Sequence, residues 1–157
     1  MTNLDRYDRA ILHQLQSDAG QTNAELAERV GLSTNACWRR VKRLEEDGVI
    51  GQRVALLDRK ALGLPVTVFV SVRAQEHTDR WLTQFAAAVA AVPEVMEFYR
   101  LSGDVDYLLK VVVRDIEDYD RVYKRLIALS PLSDVSSSFA MECLKSTTAL
   151  PLPGAGS

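Results

Sequence analysis

The first 50 residues are predicted to form three short helices, because apolar side chains recur there at three- and four-residue spacing. Asp5 is placed to cap the first helix, Thr22 or Asn23 the second and Ser33 the third. A glycine follows each helix. Helices joined by such short turns must cross steeply, which is typical of a helix-turn-helix. The residues expected to face inward are Tyr7, Ile11, Leu12, Leu15, Ala24, Leu26, Ala27, Val30, Cys37, Val41 and Leu44.

The rest of the chain mixes strand and helix patterns. Residues 66–74 carry valines at every second position, which predicts a strand. A helix then ends at Pro93, and two strands flank a turn at residues 102–106. Asp115 caps a further helix, and a final strand covers residues 134–145. The order βαββαβ is typical of a ferredoxin-like fold.

These patterns predict an α+β protein with two domains. Residues 1–50 form an N-terminal helix-turn-helix domain, and residues 51–64 form a short hairpin and linker. Residues 65–150 form a C-terminal ferredoxin-like βαββαβ domain. The last residues, 151–157, form a tail that we expect to be disordered beyond about Leu152.

The third helix gathers positive charge, although the whole chain has a formal net charge of -2. Residues 38–43 contain four Arg or Lys side chains, and a helical wheel places most of them opposite the apolar face. Arg40 borders the apolar face and is predicted to pair within the domain. An exposed cationic helix fits the major groove, where Arg reads guanine and Asn reads adenine. The residues predicted to contact DNA are Ser33, Thr34, Asn35, Trp38 and Arg39 near bases or backbone, with Lys42 and Arg43 at phosphates.

A simpler interpretation of this charge is a solvated helix face. The acidic residues 45–47 follow at the spacing that allows ion pairs along one helix. The three-helix spacing, the Ser33 cap and the following hairpin favour DNA binding instead. Cys37 is interpreted as a small core residue rather than a redox sensor.

The turn at residues 102–106 is a second candidate site. Gly103 permits positive φ and aspartates accept local backbone hydrogen bonds, so a purely structural turn accounts for these residue types. The functional alternative is an amino-acid site, in which free turn amides hold a carboxylate and Asp104 or Asp106 holds an ammonium group. Serines of the last strand would then add hydroxyls from a neighbouring subunit.

Composition excludes several classes of protein. The 157 residues are 47% hydrophobic and 25% charged, with neither a membrane-length apolar run nor a signal peptide, so the expected location is the cytoplasm. Cys37 and Cys143 lie too far apart to suggest a disulfide framework or a zinc site. His13 and His77 have no catalytic or metal partner at motif spacing, and no nucleotide-binding motif occurs. We therefore expect no enzyme, no cofactor and no metal.

Several stretches in order resemble the Lrp/AsnC (feast/famine) transcriptional regulators over about residues 4–152. They are LDRYDRAIL, TNAELAERVGLS, CWRRVKRLEEDGVI, ALLDRKALG, SGDVDYLLKVVV and KSTTALPL. Two of them, ACWRRVKRLEEDGVI and SSFAMECLKSTTALPL, are especially similar to a branch that responds to cysteine. The resemblance implies an N-terminal DNA-binding domain and a C-terminal domain that binds an amino acid and drives dimerisation.

The resemblance also implies how the sites are assigned. The recognition helix corresponds to residues 34–44 and the effector turn to Gly103, Asp104 and Asp106. A hydroxyl on the last strand corresponds to Ser137, whereas an earlier family threonine falls on Val135. Homodimers of the family commonly assemble into octameric rings around which double-stranded DNA wraps.

Three hypotheses for the function follow. The first is a sequence-specific transcriptional regulator whose assembly or DNA affinity responds to an amino acid. The second is an architectural protein that wraps DNA without a ligand response and prefers bendable sequences. The third is an enzyme or a small-molecule binding module whose helical half only mediates assembly, which the missing catalytic residues disfavour.

Overall fold

The computed structural model describes residues 3–75, 78–128 and 132–152. The helices and strands, in chain order, are α1 (Arg6–Ser17), α2 (Asn23–Val30), α3 (Thr34–Glu46), β1 (Val66–Ala74), α4 (Asp79–Ala90), β2 (Val95–Arg100), β3 (Tyr107–Val113), α5 (Ile116–Ala128) and β4 (Leu132–Phe139). The chain divides into two compact units. One is Leu57–Leu144, and the other is formed by the residues before and after it.

Local hydrogen bonds explain where the three N-terminal helices begin and end. Asp5 caps α1 and forms a reciprocal capping box with Asp8, and Thr22 caps α2 in the same way with Glu25. Ser33 caps α3, as predicted. Gly31 follows α2 with a φ of 69°, a left-handed conformation that glycine adopts without a steric penalty.

The buried faces of these helices form one apolar core. Its members are Ile11, Leu12, Leu26, Ala27, Cys37, Val41 and Leu44. Most of the predicted inward positions are confirmed, with Tyr7, Leu15 and Val30 only partly buried. The prediction for Ala24 is wrong, because this residue lies in the exposed first turn of α2.

The second unit has the predicted ferredoxin-like topology. Its four-stranded antiparallel sheet has the order β2-β3-β1-β4. The valines at 68, 70 and 72 lie in one apolar core with side chains from α4 and α5, so both helices cover the same face of the sheet. Asp115 caps α5 through its contact with the backbone N–H of Asp118, as predicted.

Three boundaries differ from the sequence prediction. The described residues between α3 and β1 contain no strand, and none of them pairs with the four-stranded sheet. The final strand ends at Phe139, where pairing with β1 ends, rather than at residue 145. Residues 145–152 belong to the N-terminal unit, where the side chain of Gln16 both donates to and accepts from the backbone of Leu150.

Two further predictions lie outside the described residues. They are the absence of a catalytic or metal partner for His77 and the disorder of the tail beyond Leu152. Within the described ranges, no helix is both long and apolar enough to cross a membrane.

Candidate DNA-binding face and effector turn

The third helix presents two opposite faces. Cys37, Val41 and Leu44 are buried in the core, which fixes the rotation of α3 about its axis. The side chains opposite them are therefore turned outward. Burial raises the pKa of the Cys37 thiol and so disfavours its reactive thiolate form. This agrees with its predicted role as a core residue.

Five of the seven predicted DNA contacts lie on the exposed side of α3 without a close ion pair. Thr34, Asn35 and Arg39 are exposed, and none of them makes a side-chain hydrogen bond or ion pair with the described part of the chain. Trp38 is 48% exposed, so its indole ring is accessible on the same side of α3. Within the described part of the chain, the one ion pair of Lys42 is a long contact of 3.7 Å with Glu46.

Trp38 also borders a shallow groove beside the exposed face. Its indole ring lies 5.4 Å from the Lys42 ammonium group, a cation–π distance. The groove has a volume of about 360 Å³ and is lined by Asn23, Trp38, Val41, Lys42, Glu45 and Arg53. Arg53 follows α3 and pairs with Glu45 at 2.8 Å. Arg53 was not among the predicted DNA contacts, although it is a cation in the predicted hairpin that follows the third helix.

The other two predicted contacts are already engaged within the unit. Ser33 uses its hydroxyl to cap α3, accepting from the backbone N–H of Ala36 at 3.3 Å. Arg43 forms an ion pair of 2.7 Å with Asp8, a residue of α1. Ser33 and Arg43 remain exposed, but each side chain has a structural task besides any contact with DNA.

Arg40 pairs within the domain, as predicted. One nitrogen of its guanidinium group lies 2.7 Å from Asp5 and 2.8 Å from Asp8. The hydrogen bond with Asp5 raises the pKa of Arg40 further. The pKa of Asp5 is lowered, mainly by the backbone N–H of Asp8 and also by Arg40. The signal for this cluster is that Asp8 stands three and four residues before Ile11 and Leu12, so a carboxylate shares their buried face and needs a partner.

The predicted effector turn connects β2 to β3. The backbone N–H of Leu101 donates to the carbonyl of Asp106 at 2.8 Å, which closes the turn. Gly103 has a φ of 127°, a conformation that residues with a side chain rarely adopt. The Asp106 carboxylate accepts from the backbone N–H of Ala74 at 2.9 Å. Asp104 is exposed, and its side chain has no partner among the described residues.

Ser137 lies away from this turn within the same chain. It pairs with Val70 on β1, whereas Asp106 lies beyond the opposite side of β1 and donates its N–H to Val72. Ser137 and Asp106 are therefore about three residues apart along the strands and about two strand spacings apart across the sheet. Together these offsets amount to roughly 14 Å. The Ser137 hydroxyl is hydrogen-bonded to Tyr119. One small amino acid cannot span this distance, so the turn and Ser137 of the same chain do not form one site.

In residues 3–75, 78–128 and 132–152, no group of His, Cys, Asp and Glu side chains is arranged to hold a metal ion. Cys37 is buried and Cys143 is exposed, and no disulfide bond joins them.

A helix-turn-helix with an exposed cationic third helix, followed by a ferredoxin-like unit, defines a DNA-binding regulator with a sensory domain. Residues 4–50 match the family model described as winged helix-turn-helix DNA-binding, and residues 67–150 match the Lrp/AsnC ligand binding domain. The chain therefore belongs to the Lrp/AsnC family of transcriptional regulators.

Individual relatives agree over nearly the whole length. The glutamate uptake regulatory protein of Zymomonas mobilis is 56% identical over 150 residues, which are 96% of this chain and 92% of that protein. A crystal structure of an AsnC family transcriptional regulator from Agrobacterium tumefaciens is 57% identical, with a TM-score of 0.92 over 94% of this chain and 97% of that one.

A second solved structure contains an amino acid. It is a transcriptional regulator from Neisseria meningitidis in complex with L-Met, 38% identical, with a TM-score of 0.91 over 96% of this chain and 98% of that one. These relatives are named as transcriptional regulators, not as enzymes.

Proposed function

We propose that the chain binds specific DNA sequences through the exposed face of α3, and that an amino acid bound by the ferredoxin-like unit changes its DNA affinity or assembly. The observation that supports the DNA face best is the contrast between the two sides of α3. One side is fully buried, and the other presents Asn35, Arg39 and Lys42 with no close ion pair in the described structure. A protein that works on DNA is expected in the cytoplasm.

The proposed contacts divide into two kinds. Thr34, Asn35, Trp38 and Arg39 lie toward the first half of α3, the part of a recognition helix that reaches base edges. Lys42 lies one turn further along and is proposed to neutralise a phosphate, as is Arg53 in the segment after α3. Ser33 is proposed to set the start of the helix against the DNA backbone.

Arg39→Ala is expected to weaken binding to a specific site by about 1–3 kcal/mol if Arg39 reads a base, with little effect on random DNA. Lys42→Ala is expected to weaken binding to all sequences and to reduce the salt slope by about 0.9, the effect of one phosphate contact. Both are measured by fluorescence anisotropy over a range of salt concentrations.

Arg80→Ala is the matched control for these two variants. It removes the same charge from an exposed position on α4 in the other unit. Thermal unfolding of all three variants checks that the fold is intact. Unchanged DNA binding in both Arg39→Ala and Lys42→Ala would rule out this face of α3 as the DNA-binding surface.

The amino-acid site is proposed to form between chains. Asp104 is free to hold an ammonium group, while the turn around Gly103 offers backbone N–H groups to a carboxylate. Asp106 supports the turn through Ala74 and is proposed to contribute to the site from there. A second chain would supply a hydroxyl such as Ser137.

A homodimer, assembling to an octamer, is proposed to build this site. The sheet face opposite α4 and α5 carries Phe69, Leu108 and Tyr99, a partly apolar surface suited to a second copy. An amino acid that binds across such a contact can shift assembly only through its different affinity for the assembly states. L-Met is the first ligand to test, because the similar structure from Neisseria meningitidis contains it.

Asp104→Ala is expected to abolish the amino-acid response and to leave DNA affinity without ligand unchanged, because the side chain has no structural partner among the described residues. Sedimentation velocity and DNA affinity are measured with L-Met and then with each of the other common amino acids. The wild type should sediment with a mass that is a multiple of two chains. One amino acid should change its sedimentation or its DNA affinity.

Glu117→Ala, which removes an exposed carboxylate from α5, is the control for this experiment. An intact response in Asp104→Ala would remove Asp104 from the site. A wild type that responds to no amino acid would contradict the proposed effector class.

A further inference from the structure

The buried carboxylate of Asp8 connects α1 to the recognition helix through two arginines. Its Oδ1 accepts from Arg40 at 2.8 Å, and its Oδ2 lies 2.7 Å from the Nη2 of Arg43. Oδ2 also accepts from the backbone N–H of Asp5 at 3.1 Å. The side chain is only 1% exposed, so these groups replace water as its partners.

The two arginines depend on Asp8 to different degrees. Arg40 has a second carboxylate partner, Asp5, at 2.7 Å. Arg43 pairs only with Asp8 within the described part of the chain. A buried carboxylate that loses a cationic partner is strongly disfavoured, so Asp8 holds the Arg43 guanidinium in place.

Arg43 stands at the edge of the proposed DNA face. It follows Arg39 by four residues, which places both on neighbouring turns of one side of α3, and it adjoins Lys42 in sequence. Its side chain is 47% exposed despite the ion pair. A free arginine at this position is long enough to reach the DNA backbone beside Lys42.

We propose that Asp8 is a positioning residue that holds Arg43 away from DNA phosphates and thereby limits sequence-independent DNA affinity. This inference rests on the proposed DNA-binding face of α3. Non-specific binding is almost entirely electrostatic, so the number of phosphates that α3 neutralises sets how strongly any sequence is held. Because Asp8 holds Arg43, α3 neutralises one DNA phosphate fewer than its number of exposed cations suggests.

The test is the salt dependence of binding to a random-sequence duplex. In Asp8→Asn the one amide oxygen can still accept from the backbone N–H of Asp5, the amide NH2 replaces the oxygen that accepts from Arg40, and the negative charge that pairs with Arg43 is gone. The slope of log affinity against log salt is expected to steepen by about 0.9, the value for one added phosphate. Affinity between about 50 and 200 mM salt then falls roughly 3.5-fold more than in the wild type.

Asp5→Asn is the matched control. It makes the same change in net charge at the same end of α1, removes one partner of Arg40 and leaves the pair between Asp8 and Arg43 untouched. Its salt slope should equal that of the wild type. The double variant Asp8→Asn/Arg43→Gln should also return to the wild-type slope, which a loss of stability in Asp8→Asn would not produce.

Arg43→Gln alone gives a reading that does not require Asp8→Asn to fold. Its slope should match the wild type, because Arg43 makes no phosphate contact in the paired state. A slope shallower by about 0.9 would overturn the inference, as would an unchanged slope in folded Asp8→Asn. Lys42→Ala separates failure of this inference from failure of the proposed DNA-binding face. If its salt slope falls by the expected amount, the face still binds DNA, whatever the result for Asp8.

Discussion

Leu44→Ala is expected to abolish DNA binding by unfolding the N-terminal unit. Leu44 is 0% exposed, and it packs α3 against the core formed with α1 and α2. Truncation of a buried leucine to alanine costs about 2–5 kcal/mol. A helical unit of this size has a small core and little stability to spare, so a loss in this range removes most of its folded population.

Chemical unfolding followed by circular dichroism and a DNA titration measure this effect together. The C-terminal unit should keep its own transition, because its core contains no residue of α3. Leu57→Ala is the control, since this leucine is 73% exposed. A Leu44→Ala protein that binds DNA with wild-type affinity would mean that the packing of α3 does not determine the DNA-binding surface.

Phe85→Ala is expected to reduce the stability of the C-terminal unit by about 3–5 kcal/mol, the range for a buried aromatic residue. Its ring stacks on Trp81 at 4.9 Å between centroids and contacts Phe98 and Tyr107 at 5.7 Å and 5.6 Å. The substitution therefore leaves a cavity where α4 meets the sheet and removes three ring contacts at once.

Denaturant unfolding measures this loss, provided that the free energy of unfolding falls with the same slope against denaturant in the wild type and in Phe85→Ala. Met96→Ala, at an exposed position on β2, is the control. A loss below about 1 kcal/mol would show that the surrounding rings move to fill the cavity and would contradict rigid packing around Phe85.

Local sequence signals were sufficient where the deciding interactions are local. Capping residues such as Asp5, Ser33 and Asp115 bond to backbone groups two or three residues away, so their positions could be predicted from spacing alone. The alternating valines of β1 likewise report burial directly, because neighbouring side chains of a strand point to opposite faces.

The partners in interactions between distant segments could not be predicted. The pair of Arg43 with Asp8 joins residues 35 positions apart, and the helical wheel of α3 alone gives no information about the acid supplied by α1. The attachment of Leu150 to Gln16 is of the same kind. Ser137 and the turn at Gly103 could be assigned to one site from the family resemblance, but the sheet register separates them within one chain.

The most direct test of the central claim, that the exposed face of α3 reads DNA sequence, is a selection of binding sites from a random duplex library. The wild type should enrich a near-palindromic motif, since a symmetric dimer presents two recognition helices. Arg39→Ala should retain affinity for random DNA and lose the preference for one base in each half-site. Enrichment of the same motif with the same base preferences in Arg39→Ala and Asn35→Ala would contradict the account.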